Sequence, residues 1–290
     1  MRKPTLTVMV GLSGSGKSTI AKTELADENT VIVSSDAIRE ELCGEVEDQS
    51  KNDEVFRLFH DRIRRALENK HNVIADATNI TMKSRRAIMA TVNGLNVFKR
   101  CYIVPKPFKQ CLIDNKYRDH PVPDEVLHKQ RMRFQVPFME EGLDQITVDN
   151  RFDGYGLDTL AMGKFDQKNP HHSLTLGWHC AMALAEFHET DVFDEKYQIG
   201  AFLHDYGKMF TQTFDDNGVA HYYQHHCVSG YEILASVPIL ENLDNVFLAN
   251  YHMLPFDWEK SNTHEKWKKR FGEEKYNVLM AFHKCDMDAR

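Results

Sequence analysis

The feature that most constrains this chain is a glycine-rich loop that directly follows a short apolar run. Residues 11–19 read Gly-Leu-Ser-Gly-Ser-Gly-Lys-Ser-Thr and match the pattern G-x-x-x-x-G-K-[ST] in full. They follow Thr5–Val10, a β-prone run, and precede helix-compatible sequence over residues 17–25. In this strand–loop–helix context, successive backbone N–H groups surround phosphate oxygens. The loop predicts a nucleotide-binding site, and the alternative is a glycine-rich turn that binds nothing.

The loop residues have distinct predicted roles in binding ATP and Mg²⁺. Lys17 is expected to reach the β- and γ-phosphates, and Ser18 to bind Mg²⁺. The predicted nucleotide-contacting residues are Gly11, Ser13, Gly14, Ser15, Gly16, Lys17, Ser18 and Thr19.

Short apolar runs alternate with helical patterns through the first half of the chain. The β-prone runs are residues 5–10, 31–33, 72–77, 97–104 and 146–148, and the helical patterns between them are 55–67, 84–92, 107–116 and 124–134. This alternation predicts an α/β domain whose parallel sheet is covered by helices on both faces. The glycine loop then lies at the carboxyl edge of the sheet, where such sheets bind ligands.

Three charged residues after the loop are candidates for its chemistry. Asp36 follows the second strand and can act as a general base, and Arg39 lies one helical turn on and can hold a substrate phosphate. Asp76 ends a buried strand, where it can support Mg²⁺ through water. The alternatives are a helix N-cap for Asp36, a surface charge for Arg39 and a strand-end turn for Asp76.

A basic segment rigidified by two prolines, residues 115–123, suits a lid over ATP. It contains Arg118 and is followed by Arg131 and Arg133, and such a lid would place an arginine on the ATP phosphates. The alternative is a solvated, charged loop.

These motifs resemble the polynucleotide 5′-kinase family of nucleic-acid repair enzymes over about the first 150 residues. The motifs are the P-loop, S-S-D-x-x-R, D-A-T-N and N-x-x-R-x-x-x-V-P. The resemblance implies that Asp36 is the general base, that Arg39 holds a substrate phosphate and that Arg118 contacts ATP phosphates. Kinases of small metabolites and zeta-toxin-like kinases share the P-loop and a similarly placed aspartate, so the acceptor stays open.

The second half of the chain differs in composition and pattern. Up to residue 150 the net charge is +1 and beyond it −8, and eleven of the fifteen histidines lie in the second part. Helical patterns at 178–187, 198–204, 228–235, 242–251 and 273–285, with no convincing strand pair, predict an all-α domain. Glycines and a proline near residues 154–170 predict a linker. The expected organisation is a kinase domain over 1–150, a linker over 151–168 and a second domain over 169–290.

Histidines and aspartates in the second half have the chemistry of metal ligands. His204 and Asp205 end an apolar helix and suit Mn²⁺, Fe²⁺, Ni²⁺ or Zn²⁺. We expect Gly207 to permit the turn that lets both side chains converge, and Lys208 to neutralise a phosphate. A single adjacent histidine and aspartate usually have a structural role. Further candidate ligands occur on other helices, however: His179, His225, His226, His252 and Asp286.

This set resembles the HD phosphohydrolase superfamily, with the pattern H…HD…D carried by His179, His204, Asp205 and Asp286. The resemblance implies that His225 and His252 complete a version with two metals, although His226 stands where relatives often have an acidic residue. Asp288 competes with Asp286 for the last ligand position. Six other histidines are expected to be caps, substrate contacts, packed groups or surface groups: His171, His172, His188, His221, His264 and His283.

The leading hypothesis is an enzyme that heals both ends of broken RNA or DNA. It would phosphorylate a 5′-hydroxyl and remove a 2′,3′-cyclic, 2′- or 3′-phosphate, and a separate ligase would act downstream. One alternative is a nucleoside or sugar kinase joined to an HD nucleotidase in salvage or signalling. Another is a non-catalytic regulator that senses a nucleotide. Six scattered cysteines, no apolar run of membrane-spanning length and no signal-peptide pattern favour a cytoplasmic location.

Overall fold

The computed structural model describes residues 3–170 and 173–289, which fold into two compact units. The first unit consists of the chain up to Gln130 together with Pro137–Phe152. The second consists of Arg131–Val136 together with the chain from Asp153 onward. His171 and His172 lie outside the described residues. Among the described helices, none is both long and apolar enough to cross a membrane.

A five-stranded, fully parallel sheet forms the centre of the first unit. Its strands are β1 (Thr5–Val10), β2 (Thr30–Ser34), β3 (Asn72–Asp76), β4 (Phe98–Ile103) and β5 (Gln145–Val148). They lie in the order β2-β3-β1-β4-β5, with Leu6 opposite both Val73 and Lys99. β1 and β3 are buried along nearly their whole length, as expected of largely apolar strands in the middle of a parallel sheet. The order changes direction at β1, so the carboxyl end of β1 is the expected place for a ligand.

Helices connect these strands close to the predicted segments, which confirms the α/β prediction for the first half. The helices are α1 (Lys17–Ile20), α2 (Ser35–Cys43), α3 (Asn52–Glu68), α4 (Met82–Thr91), α5 (Phe108–Asn115) and α6 (Asp124–Arg131). α1 continues directly into one turn of π-helix, Ala21–Leu25. The amphipathic α3 buries Val55, Phe59 and Ile63 on one face, as its helical spacing predicts.

A buried ion pair fixes the loop that follows β3. The guanidinium of Arg85 on α4 contacts the carboxylate of Glu141 at 2.6 and 2.8 Å, and both side chains are 1% exposed. A further N–H of Arg85 donates to the carbonyl of Asn79 at 3.1 Å. α4 therefore holds the D-A-T-N segment in place through charge-assisted hydrogen bonds.

The second unit is built from helices, which confirms the all-α prediction. They are α7 (Thr159–Lys164), α8 (Leu176–His188), α9 (Gln198–Phe202), α10 (Lys208–Thr211), α11 (His225–Ser236), α12 (Leu243–Tyr251), α13 (Leu254–Ser261), α14 (His264–Phe271) and α15 (Glu273–Asp288). Two short strands, β6 (Thr213–Phe214) and β7 (Ala220–His221), form an antiparallel ribbon that the sequence did not predict. Two residues are too few to show an alternating pattern. The segment expected as a linker, 151–168, contains α7, whose Met162 is fully buried.

The centre of this unit is the pair α11 and α12. Every residue of α11 except His226 is buried, and so are residues 245–251 of α12. Gly230 permits the close approach, because a Cβ there would lie 2.8 Å from the side chain of Asn250. The segment Arg131–Val136 packs on the same helices: Asn250 accepts a hydrogen bond from the amide of Val136 at 2.7 Å and donates to the carbonyl of Phe134 at 3.0 Å.

Candidate active sites

The glycine loop curls tightly between β1 and α1. Gly14 has φ +77° and Gly16 has φ +92°, in the left-handed region that favours glycine. A Cβ on Gly14 would lie 2.5 Å from the carbonyl oxygen of Cys111, and one on Gly11 would lie 2.8 Å from that of Val104. The loop therefore needs glycine both for its conformation and for close packing, and its path is the one that turns backbone amides toward a phosphate.

Lys17 is buried at the start of α1. Its Nζ donates to the carbonyl of Leu12 at 2.7 Å and contacts Oγ of Ser15 at 3.4 Å. Burial lowers the pKa of Lys17 below its usual value, and the carboxylate of Asp76 at the end of β3 opposes this shift only in part. Ser18 and Thr19 are exposed beside Lys17. The loop, Lys17 and Asp76 thus form a cradle with the donor set that ATP and Mg²⁺ require.

Two side chains that the sequence did not assign hold the loop from either side. Asn79 donates to the carbonyl of Met9 at 2.9 Å, tying the D-A-T-N segment to β1. Gln130 on α6 accepts from the amide of Ser13 at 2.8 Å and donates to its Oγ at 3.0 Å. Asn79 belongs to a recognised motif, whereas Gln130 gives no signal in the sequence.

The structure brings Asp36, Arg39 and Arg118 together near the carboxyl end of β2. Asp36 contacts Arg39 at 3.3 Å and Arg118 at 3.8 Å. Ser34 caps α2 by accepting from the amide of Ala37, so the alternative of Asp36 as N-cap is wrong. The side chain of Arg39 is 8% exposed, so the alternative of a surface charge is wrong as well. The carboxylate of Asp36 is 52% exposed and is held between two guanidinium groups.

The basic segment after α5 is a closed turn. The side chain of Asn115 donates to the carbonyl of Val122 at 2.7 Å and accepts from its amide at 3.1 Å. Arg131, by contrast, belongs to the second unit, where it pairs with the buried Glu232 at 2.9 Å. The guanidinium of Arg131 is therefore held in a buried ion pair, whereas Arg118 lies beside Asp36.

The six predicted metal ligands converge in the second unit. They are His179 on α8, His204 and Asp205 after α9, His225 at the start of α11, His252 after α12, and Asp286 on α15. Asp205 Oδ1 lies 2.8 Å from Nε2 of His225 and 3.4 Å from that of His252. Asp286 Oδ1 lies 3.1 Å from Nε2 of His179 and 3.2 Å from that of His204. Asp205 Oδ2 lies 3.3 and 3.4 Å from these same two nitrogens.

The ring orientation of each histidine is fixed by a backbone carbonyl. The Nδ1 atoms of His179, His204, His225 and His252 lie 2.5, 2.8, 2.7 and 2.8 Å from the carbonyl oxygens of Ala289, Ala201, Tyr222 and Ala249. A carbonyl can only accept, so Nδ1 carries the proton and Nε2 is the atom that faces the centre. This is the arrangement by which second contacts orient metal-binding imidazoles.

The residues fit a divalent ion. The Nε2 atoms of His204, His225 and His252 and the Oδ1 of Asp205 are buried and make no hydrogen bond of normal geometry with any described residue. Such atoms raise the free energy of the folded state unless they find a partner. Imidazole nitrogens and carboxylate oxygens that face one point are suitable ligands for Mn²⁺, Fe²⁺, Ni²⁺ or Zn²⁺. The described residues form three overlapping ligand groups, one of Asp205, His225 and His252, one of His204, His252 and Asp286, and one that contains His179, His204 and Asp205.

Imidazoles and carboxylates stabilise each other's charge in this cluster. Burial would lower the pKa of His179, but the carboxylates of Asp205 at 3.3 Å and Asp286 at 3.1 Å raise it to about 9. Burial would raise the pKa of Asp286, but His204 and His179 hold it well below its usual range. A divalent ion would take the place of the imidazole protons, so binding would release them.

Gly207 is required for a different reason from the one expected. Its φ of −61° and ψ of −19° are ordinary helical values, so the prediction that glycine supplies conformational freedom for the turn is wrong. A Cβ there would lie 2.1 Å from the carbonyl oxygen of His225, and the Gly207 amide donates to Oγ of Ser229 at 2.8 Å. Gly207 therefore permits the His204–Asp205 turn to pack directly against α11.

Lys208 contacts a metal ligand. Its Nζ lies 2.6 Å from Asp205 Oδ2 and donates to Oε1 of Gln167 at 2.9 Å, and the residue is 5% exposed. Burial would lower the pKa of Lys208, but Asp205 raises it. The ammonium group was expected to meet a substrate phosphate, and in this structure it holds the Asp205 carboxylate.

The structure also places the remaining candidate residues inside or outside the ligand groups. Asp288 is exposed and lies outside the ligand groups formed by the described residues, whereas Asp286 lies within one. His283 packs against the ring of Phe256. Partial burial, reinforced by the neighbouring ligand imidazoles, holds the pKa of His226 well below its usual range. Cys180, which the sequence did not single out, lies in a ligand group with its neighbour His179.

Family models match both parts of the chain. Residues 6–137 match the model described as "AAA domain", and residues 171–286 match that described as "HD domain". Over 157 residues, 50% of this chain, the sequence is 31% identical to the curated L-seryl-tRNA(Sec) kinase of Methanococcus maripaludis. The chain spans 58% of the length of that relative.

Two solved structures show weaker similarity. The Pnkp1/Rnl/Hen1 RNA repair complex is 23% identical, with a TM-score of 0.41 over 45% of this chain and 43% of the matched one. A gluconokinase from Sinorhizobium meliloti 1021 is 19% identical, with a TM-score of 0.37 over 52% of this chain and 86% of the matched one. The two family matches together show a P-loop, kinase-type domain over residues 6–137 followed by an HD domain over residues 171–286.

Proposed function

We propose that this chain phosphorylates the 5′-hydroxyl end of a polynucleotide. It also removes a 2′,3′-cyclic, 2′- or 3′-phosphate from the terminal ribose at a 3′ end. The observation that carries the proposal is Asp36, a carboxylate held between Arg39 and Arg118 yet 52% exposed. An enclosed base suits a small metabolite, whereas an accessible base beside a phosphate-binding arginine admits the end of a polymer.

The kinase reaction follows from these positions. The Asp36 carboxylate accepts the proton of the 5′-hydroxyl as its oxygen bonds to the γ-phosphorus, and the bond to the leaving ADP oxygen breaks. Arg39 holds the first phosphate of the acceptor strand, and Arg118 and Lys17 neutralise charge on the transferred group. Ser18 and Asp76 would hold Mg²⁺.

The hydrolase reaction belongs to the histidine–aspartate cluster. A bound divalent ion would supply Lewis acidity and activate water for attack on phosphorus. The residues that would hold one or two ions are His179, His204, Asp205, His225, His252 and Asp286. Lys208 holds the shared carboxylate of Asp205 and neutralises part of the charge that gathers there.

A second candidate is favoured by one observation, the 31% identity with a seryl-tRNA kinase. That relative is named for L-seryl-tRNA(Sec), so the acceptor hydroxyl of this chain would then belong to an aminoacyl group or to a small molecule. The HD half would accompany it as a nucleotidase in salvage or signalling. This candidate predicts no dependence on oligonucleotide length.

The acceptor experiment compares 5′-hydroxyl oligonucleotides of increasing length with nucleosides, sugars and serine, in ATP and Mg²⁺. We expect transfer to oligonucleotides and a rate that rises with the first few nucleotides. Asp36→Asn should reduce kcat by about 10²- to 10⁴-fold. Glu40→Gln, an exposed carboxylate on the same helix, is the matched control and should leave kcat unchanged. Equal turnover of nucleoside and oligonucleotide would favour the second candidate.

The hydrolase experiment uses RNAs that end in a 2′,3′-cyclic, a 2′- or a 3′-phosphate. Protein stripped with a chelator should hydrolyse none of these ends, and added Mn²⁺, Ni²⁺, Fe²⁺ or Zn²⁺ should restore opening of the cyclic phosphate or release of phosphate from a monoester end. Release of phosphate from free nucleotides, with no reaction at any RNA end, would assign the site to nucleotidase chemistry.

A further inference from the structure

A cysteine lies inside the proposed metal site. Cys180 follows His179 on α8, and it is fully buried, with 0% of its surface exposed. Its sulfur and one ligand atom each from His179, His204 and Asp205 all lie within 4.8 Å of one another. Ligand atoms bound to the same ion at about 2.0–2.3 Å lie up to about 4.5 Å apart, so this spacing is close to that of groups around one ion.

A second observation, independent of the thiol, indicates a ligand at the same place. The Nε2 of His204 is fully buried, and its contacts with Asp286 at 3.2 Å and Asp205 at 3.4 Å lack hydrogen-bond geometry. The contacts of the buried Asp205 Oδ1 with the Nε2 atoms of His225 and His252 lack it as well. Both atoms are suited to coordinate a cation.

Adjacency to a ligand in the sequence does not account for the position of Cys180. Cys285 directly precedes Asp286 on α15 and is also buried. Its sulfur lies in none of the ligand groups that the described residues form. The placement of Cys180 is therefore a property of the packing between α8 and the turn that carries His204.

Resting on the proposed metal site, we infer that Cys180 is a sulfur ligand to one of the bound ions. As the metal–sulfur bond forms, the thiol loses its proton to solvent, with no change of oxidation state. The group around Asp205, His225 and His252 contains no sulfur. The two ions would then have different ligands, and the ion beside Cys180 would be one that thiolates select, such as Zn²⁺, Fe²⁺ or Co²⁺, rather than Mg²⁺.

The test is anaerobic titration of chelator-treated protein with Co²⁺, followed by absorption spectroscopy. Visible ligand-field bands report that Co²⁺ is bound, and near-ultraviolet sulfur-to-cobalt charge-transfer absorption reports a thiolate ligand. We expect both in the unmodified protein and in Cys285→Ser, the matched control. Cys180→Ser should keep the visible bands and lose the charge-transfer band. It should also weaken Cd²⁺ binding at least about tenfold, with a smaller effect on Mn²⁺.

Each other outcome overturns the inference in a distinguishable way. Visible bands without charge transfer in the unmodified protein, or charge transfer that persists in Cys180→Ser, would remove Cys180 from the ligand set and leave the metal site intact. Failure to bind Co²⁺ at all would overturn the metal site and the sulfur ligand together.

Discussion

Single side chains in both sites are restrained before any substrate arrives. In the metal cluster, each ligand imidazole is held at Nδ1 by a carbonyl and presents Nε2 to the centre. In the kinase site, Asp36 is held by Arg39 and Arg118. Groups fixed in the productive orientation need little ordering on binding, which favours both affinity and rate.

Asp286 and Asp288 provide a matched pair at the residue scale. Asp286→Asn removes a carboxylate that contacts His179 and His204, and we expect metal affinity to fall by more than about 100-fold, beyond the effect of losing an outer-shell partner. Asp288→Asn changes an exposed residue two positions on and should leave affinity within experimental error. Isothermal titration with Mn²⁺ measures both. Equal losses in the two variants would contradict the assignment of Asp286.

Gly207 offers a test of packing beside the metal site. The added methyl of Gly207→Ala meets the carbonyl of His225, so we expect a loss of about 1–3 kcal/mol in unfolding free energy and weaker metal binding. Gly163→Ala is the control, because a Cβ there has open space within α7. It should be neutral or slightly stabilising. Urea denaturation measures both, and an unchanged Gly207→Ala protein would contradict the close approach.

The residues of the two candidate sites could be predicted from the sequence more readily than the structural reason for each of them. The glycine loop, Asp36 and the six metal ligands could be chosen from motifs, because each motif encodes a chemical requirement. The requirement for glycine at position 207 could not be predicted, because it arises from the carbonyl of His225 on another helix. The ion pair of Arg131 could not be predicted for the same reason, because its partner, Glu232, is 101 residues away in sequence.

At the scale of elements, the loop after β3 depends on the brace from α4. Arg85 contacts Glu141 and the carbonyl of Asn79, and Asn79 in turn donates to Met9 in β1. The brace thus links α4 to the strand that carries the glycine loop. Both charged side chains are buried, so removing either one would leave an unpaired buried charge and destabilise the folded protein.

Removing one partner of this brace should destabilise the first unit. Arg85→Met leaves the buried Glu141 unpaired, and we expect a loss of about 3–5 kcal/mol in unfolding free energy. The double variant with Glu141→Leu should recover most of this loss. Arg62→Met breaks an exposed pair with Glu41 and should cost less than about 1 kcal/mol. Urea denaturation decides, and additive losses in the double variant would contradict the pairing.

Element types followed from the sequence wherever a pattern was long enough. The five parallel strands and the long α3 show apolar runs or helical spacing that their burial reproduces. The ribbon of β6 and β7 has two residues in each strand, too few for any period. Helix α14 was not predicted, because two large apolar residues four positions apart, Trp267 and Phe271, are too few to mark a helical period.

At the scale of the whole molecule, one chain contains two sites with different requirements. The P-loop unit provides phosphate-binding amides and basic side chains, and the HD unit provides buried imidazoles and carboxylates. Their separation along the chain explains the uneven charge and histidine content seen in the sequence. The two sites share no catalytic residue, so a change in one should leave the chemistry of the other intact.

The most direct test follows both ends of a single RNA that carries a 5′-hydroxyl and a 2′,3′-cyclic phosphate. The protein is incubated with this RNA, ATP, Mg²⁺ and Mn²⁺, and the ends are resolved by mass spectrometry. We expect a 5′-phosphate that is lost only in Lys17→Ala, and opening or removal of the cyclic phosphate that is lost only in Asp205→Ala. If neither end changes while free nucleosides or nucleotides are turned over, the polynucleotide function is wrong.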